Sequence, residues 1–308
     1  VHKNIYTASQ AGLRHLDNNH NILGIMLCST LDKTTTFPEA LIEPIAFTAE
    51  CGWLPDHAPA RMAWSGGDAD RFSSNLTHSL FSINGNEAAE IINLLSSCNQ
   101  LIKVDNLSGY AFTDTFKSEI HLDTPHFYGS LKRIKSLSDE ALKRISSLQE
   151  KSLRSKEILD TWRYFASQWQ AFAERFLTAK KIGDTYRYTF YGWKHAMSIS
   201  DRQSIEKSCK ELFDKASKEM DSLKEEYTEL LSRRYAITET ATTKSFEAAK
   251  TIWQEKGKNV SEAILSGSFP TPNEVGVSLA QLPERLVTPA LKPPSTEMDK
   301  TFTWWDKR

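Results

Sequence analysis

Four short polar runs carry the residue types that do chemistry. Ser65-Gly-Gly-Asp68-Ala-Asp70 places two carboxylates directly after a glycine pair. Asp32 follows an apolar run at residues 21–28 and could join them, giving the carboxylates that a two-metal phosphoryl-transfer centre requires. His121-Leu-Asp123-Thr-Pro-His126 holds two imidazoles and a carboxylate within six residues. On a strand, His121 and Asp123 share a face, and Pro125 could turn His126 back towards them, a set able to hold a metal through neutral imidazoles. One such cluster supplies three ligands at most, and no HxHxDH or HExxH pattern accompanies it. His15-Leu-Asp17-Asn-Asn-His20 and Asp56-His57 are further polar clusters of loop character.

A strand running into Gly-Gly-Asp resembles the hairpin turn of palm-type nucleotidyl cyclases and polymerases. The same run loosely resembles the pyrophosphate-binding Ser-Gly-Gly-x-Asp-Ser loop of ATP pyrophosphatases, but its Asp is displaced by one position and the final Ser is missing. The sequence is assigned to neither family, because a plain turn needing positive φ also calls for these glycines. No GxSxG elbow, Walker A run or GxGxxG fingerprint is present. Cys28, Cys51, Cys98 and Cys209 lie far apart and form no CxxC pair, so the spacing implies no zinc site. No cofactor or metal is expected.

Charge gives a second kind of candidate. The chain as a whole is balanced, with net charge −1. Residues 1–130 carry about twice as many acids as bases, and residues 131–181 reverse the ratio. Lys132, Arg133, Lys143, Arg144, Lys151 and Arg154 are the candidate nucleic-acid contacts on that basic arm. The same asymmetry is also compatible with an acidic region packing on a basic helix, or with a solvated face. Aromatic residues form the third candidate. Tyr186, Tyr188 and Trp193 lie in one short stretch with Arg and Lys between them, which suits stacking or partner docking. Trp304 and Trp305 stand side by side near the end of the sequence, and Trp is a favoured interface anchor.

The elements that must position these residues are mainly helices. A Ser136–Asp139 capping box predicts a helix start, followed by Leu142, Ile145, Leu148, Leu153, Ile158, Trp162, Phe165, Trp169, Phe172 and Phe176 at helical spacing. The register slips between Leu148 and Ile158. Unbroken to Ala179, the helix would have about 44 residues and a length of about 65 Å. Gly183-Asp184 is expected to end it. A second box, Ser200–Gln203, is expected to start the next helix. Its apolar residues are Ile205, Cys209, Leu212, Ala216, Met220, Leu223, Tyr227 and Leu230, close to a heptad. Two matched seams joined by a short aromatic connector predict an antiparallel hairpin. A third helix is predicted over Thr243–Lys256.

Residues 1–133 read as an α+β domain. Strands are expected at 21–28, 60–64, 100–104 and 110–116, and a helix capped by Asn86 at 87–97. Residues 134–265 read as the helical hairpin with its third helix, and 266–308 as an extended proline-rich tail draped on the body or on a partner. The expected fold is therefore an α+β N-terminal domain, a long coiled-coil-like antiparallel hairpin and the tail.

These features favour a non-enzymatic subunit that holds protein partners, in a complex contacting DNA or RNA through the basic arm. The alternative is a metal-dependent nucleotide or nucleic-acid enzyme using Asp32, Asp68 and Asp70. No apolar run reaches the roughly 18 residues of a membrane span. The opening Val1-His-Lys-Asn lacks the apolar core of a signal peptide, so a cytoplasmic protein with reduced thiols is expected.

Overall fold

The computed structural model describes residues 46, 66–104, 114–116, 124–193, 195–235 and 240–278. These form six helices: α1 Gly66–Phe81, α2 Glu87–Val104, α3 Thr124–Lys151, α4 Lys156–Tyr188, α5 Ile199–Tyr235 and α6 Ala241–Ser266. A π turn, Thr189–Trp193, extends α4.

The α+β expectation is corrected. Of the described residues 84% are helical, and no strand is found among them. Residues 100–104, read as a strand, are the last turn and a half of α2. The helical period of Ala88, Ile91, Ile92 and Cys98 simply continues, and a short apolar run does not by itself distinguish strand from helix. Of the expected strand 110–116, residues 114–116 are described and form a turn, closed by the Phe116 amide donating to the Asp114 carboxylate at 2.9 Å. The expected strands 21–28 and 60–64 lie outside the described residues.

The described residues divide into two compact units. Unit 1 comprises residues 46, 66–104, 132–170, 226–235 and 240–242, and unit 2 comprises 114–116, 124–131, 171–193, 195–225 and 243–278.

Unit 1 is built on Leu76, Phe81, Ala88, Ile91, Ile145, Leu148, Leu159 and Trp162. Thr77 joins α1 to α2: its hydroxyl donates to the Ser73 carbonyl at 2.9 Å and accepts the Ala88 amide at 3.3 Å. A buried hydroxyl thereby satisfies an amide in the first turn of α2, which has no partner within its own helix. Helices α3 and α4 run antiparallel, with Gln149 donating to Asp160 at 2.8 Å and Gln170 donating to Asp139 at 2.5 Å. The start of α4 meets the end of α5 in the same sense, through Asp160 with Arg233 at 3.3 Å and the rings of Tyr164 and Tyr227 at 5.5 Å.

The single long helix expected over 136–179 is two helices. Ser152–Ser155 turns the chain back, with Ser155 at φ 55°. The break falls where the apolar register slips. Leu153, the one large apolar residue in the gap, is 82% exposed, so no packing rewards continuing the helix there. Ser136 does not begin a helix either, because α3 starts twelve residues earlier. Phe127, Leu131 and Ile134 extend its buried stripe upstream, and Ser138 bonds back to the Ile134 carbonyl at 2.9 Å.

Unit 2 packs the segments of α4, α5 and α6 around Tyr186, Phe213, Trp253, Val260 and Ile264. Phe116, Phe213 and Trp253 form an aromatic triad with centroids 5.2–6.0 Å apart. Helices α5 and α6 are antiparallel, pinned by Lys250–Asp221 at 2.7 Å and by Ser261 donating to Glu206 at 2.9 Å. Gly183 does not end α4; it is buried inside it. The box that starts α5 is Ser198 with Asp201, not Ser200 with Gln203. Asp201 N donates to Ser198 Oγ and Ser198 N to the Asp201 carboxylate, both at 3.1 Å. The Ser198 hydroxyl also donates to the Asp201 carboxylate at 2.6 Å, and this bond, then the one from Ser198 N, holds the carboxyl below its ordinary value. Helix α6 runs ten residues beyond the predicted Lys256.

The described start of the tail, residues 267–278, packs on unit 2. Phe269, Val275 and Val277 enter its core, and a Thr271–Glu274 box forms a turn, with Thr271 N donating to Glu274 at 2.7 Å. Residues from 279 onward lie outside the described set.

Candidate functional site

The candidate basic arm maps to unit 1. Lys132, Arg133, Lys135 and Lys143 of α3, with Leu94 of α2, line a shallow open depression of about 600 Å3. Helical periodicity creates this grouping. Positions 132, 136, 139 and 143 recur every three or four residues on one face, while Leu131, Ile134, Ala141 and Ile145 bury the opposite face. Lys132 and Lys143 stand eleven residues apart, about 16 Å along the helix. Asp139 and Glu140 share the depression, but Asp139 accepts from Gln170 and Glu140 accepts from Arg144 Nε at 2.7 Å.

The other three predicted contacts are placed differently. Arg144 pairs with Glu140 of its own helix and with Glu90 of α2. For this residue, acid from the N-terminal region does pack on the basic helix. Arg154 lies in the α3–α4 turn and donates through Nη2 to the carbonyls of His78 and Ser79, at 3.2 and 2.7 Å. It satisfies carbonyls at the end of α1, a structural task. Lys151 is exposed in the last turn of α3, where a cation suits the helix dipole.

The aromatic candidates belong to unit 2. Tyr186 is fully buried in its core, and its hydroxyl donates to the Pro270 carbonyl at 2.8 Å. Burial, then the nearby Glu274 charge, pushes this phenol up to about 12. Tyr188 is half-buried at the end of α4. The π turn presents Tyr191, 42% exposed, with its ring edge-on to Phe190 at 4.8 Å. The Trp193 backbone closes that turn. Trp304 and Trp305 lie outside the described residues.

The Gly66-Gly-Asp68-Ala-Asp70 run forms the first turn of α1 rather than a strand-to-strand turn. Asp32, His121 and Asp123 lie outside the described residues, and His126 is exposed in the first turn of α3. Among the described residues, no group of three or more His, Cys, Asp or Glu side chains is placed to hold a metal ion. No described helix is long and apolar enough to cross a membrane. Cys98 and Cys209 are free and buried, and burial pushes both thiols up to about 12. Cys98 donates to the Ile134 carbonyl at 3.7 Å.

One charged cluster was not anticipated. Glu174 and Arg175 of α4 meet Lys215 and Glu219 of α5 in unit 2. A signal for it exists in the sequence. Phe172, Phe176 and Ala179 set the buried face of α4, and Arg175 falls on that face, so an ionic group was due to be withdrawn from water there.

No protein-family model matches the chain, and comparison with curated proteins and with solved structures finds no significant match.

Proposed function

We propose that the chain is a non-enzymatic interaction subunit that holds protein partners and grips a polyanionic backbone, DNA or RNA, through the outer face of α3. The observation that carries this reading is the grouping of Lys132, Arg133, Lys135 and Lys143 around one depression. Four basic side chains face two acids there, Asp139 and Glu140, and Glu140 is paired with Arg144, which leaves a local excess of positive charge on a chain of net charge −1. Contacts of this kind are to phosphates, and so they are read through their salt dependence.

The test is fluorescence anisotropy with labelled single-stranded and duplex oligonucleotides. With four phosphate contacts on a duplex, affinity should fall by about two orders of magnitude between 50 and 200 mM salt. The double variant K132E/K143E should reduce the log–log salt slope by about two. Unchanged binding by that variant would remove the proposal. Protein partners fit the opposite chemistry in unit 2, where Tyr191 of the π turn and Ile199 at the start of α5 are exposed.

A further inference from the structure

Unit 2 holds a charged cluster that the proposed function does not use. Lys215 of α5 lies 3.0 Å from Glu174 of α4 and 3.5 Å from Glu219, one turn along its own helix. Two carboxylate oxygens that close to one nitrogen are at most about 6.5 Å apart. Neither side chain is well hydrated: Glu174 is 16% and Glu219 24% exposed, against 59% for Lys215. The charged groups facing Glu219 are Glu174 and the buried Arg175 from α4, and Lys215 from α5. Carboxylates withdrawn from water beside one another resist ionising together and titrate as a pair.

We propose that Glu174 and Glu219 are a proton-sharing pair that ties α4 to α5 within unit 2 and loosens that seam when the proton leaves. Burial holds the Glu219 carboxyl up to about 7, with the charge of Glu174 and the hydrogen bond to it adding to the effect and Lys215 opposing it. Protonated Glu219 donates to Glu174, and the pair then carries one negative charge beside Lys215. Loss of the proton leaves two carboxylate charges withdrawn from water, faced by the exposed Lys215 and the buried Arg175. The folded value lies above the ordinary 4.5 of a glutamate. The folded state therefore holds an extra proton between the two values. The stabilisation is complete below 4.5 and is lost as pH rises through about 7. This direction is opposite to that of a salt-bridged surface carboxylate, and it gives the fold a built-in response across the neutral range.

Carboxyl-carbon NMR of full-length protein labelled at glutamate tests the pair directly. The wild type should show one glutamate titrating near neutral pH, and Glu219→Gln should abolish that titration. Glu174→Gln should move it down towards the ordinary range. Hydrogen exchange, corrected for intrinsic rate, should show residues 171–179 and 209–220 losing protection between pH 6 and 8 in the wild type and staying flat in Glu219→Gln. A wild type with every glutamate titrating below about pH 5.5 overturns the proposal whatever the variants do. So does a near-neutral titration that survives both substitutions.

Discussion

Arg154 Nη2 donates to the backbone carbonyl of Ser79 at 2.7 Å, across 75 residues of chain. The same nitrogen reaches the His78 carbonyl. A side chain that reads in the sequence as part of a basic arm thus satisfies the end of α1 inside unit 1. Arg154→Ala should lower stability by about 1 kcal/mol in denaturant unfolding, the typical net value of a hydrogen bond with a charged donor at a partly wet site. Its salt slope for oligonucleotide binding should equal that of the wild type, in contrast to K132E/K143E. A reduced slope would place Arg154 on the binding face instead.

Two glycines in unit 2 should respond oppositely to alanine. A Cβ added at Gly257 of α6 would lie 3.1 Å from both Cβ and Cγ of Phe213 in α5, so the glycine sets the close approach of the two helices. One added at Gly129 of α3 meets nothing within 4 Å. Alanine gains about 1 kcal/mol over glycine in a helix interior, whereas overpacking costs about 1–3 kcal/mol. Gly129→Ala should therefore stabilise by about 0.5–1 kcal/mol. Gly257→Ala should destabilise by about 1 kcal/mol. Urea midpoints at constant m-value check both.

What the sequence discloses about this fold follows from how each signal is carried. The seam of α5 was legible because seven of its eight apolar positions, from Ile205 to Leu230, are buried, and the eighth, Leu212, packs against the unit 2 core. Periodicity over many residues averages out local accidents. Punctuation was less reliable. Ser136–Asp139 and Ser200–Gln203 have capping-box composition, yet the first lies in mid-helix and the second sits two residues past the box that forms. A cap is one or two hydrogen bonds, worth about 1 kcal/mol, and a buried stripe such as Phe127–Leu131–Ile134 outweighs it. For the basic arm, sequence gave the charge but not the direction of each side chain. Arg144 and Arg154 turn inward to Glu90 and to the α1 carbonyls, and neither partner is near in sequence.

Lys256 should be a stability determinant for the tail. Its ammonium lies 3.0 Å from the Asp114 carboxylate, donates to the Gly276 carbonyl at 2.6 Å and sits 5.4 Å from the Phe116 ring centre. Only 15% of its side chain is exposed, so these contacts are poorly screened by solvent. Lys256→Met keeps the apolar stem but removes the charge from three partners. It should cost about 2 kcal/mol, because Asp114 and the Gly276 carbonyl are then left without this donor. The same variant should speed limited proteolysis at 267–278. Cleavage there no faster than in the wild type would show that Phe269, Val275 and Val277 hold the tail unaided.

Cysteine reactivity provides a check on both cores at once. Cys98 belongs to unit 1 and Cys209 to unit 2, and burial pushes each thiol from its ordinary range up to about 12. Alkylation requires the thiolate, whose fraction at pH 8 falls by about three orders of magnitude for such a shift. Iodoacetamide at pH 8 should therefore spare both residues in the native protein and label both once urea unfolds it, as read by site-resolved mass spectrometry. The sign of the linkage is fixed by the same values. The folded state disfavours the thiolate, so each cysteine's contribution is complete below its unfolded value and falls away as pH rises from there towards about 12. Stability should decline on the alkaline side, and Cys209→Ala should reduce that decline while costing some packing. Rapid native labelling of Cys98 alone would mean that α2 opens from α3 independently of unit 2.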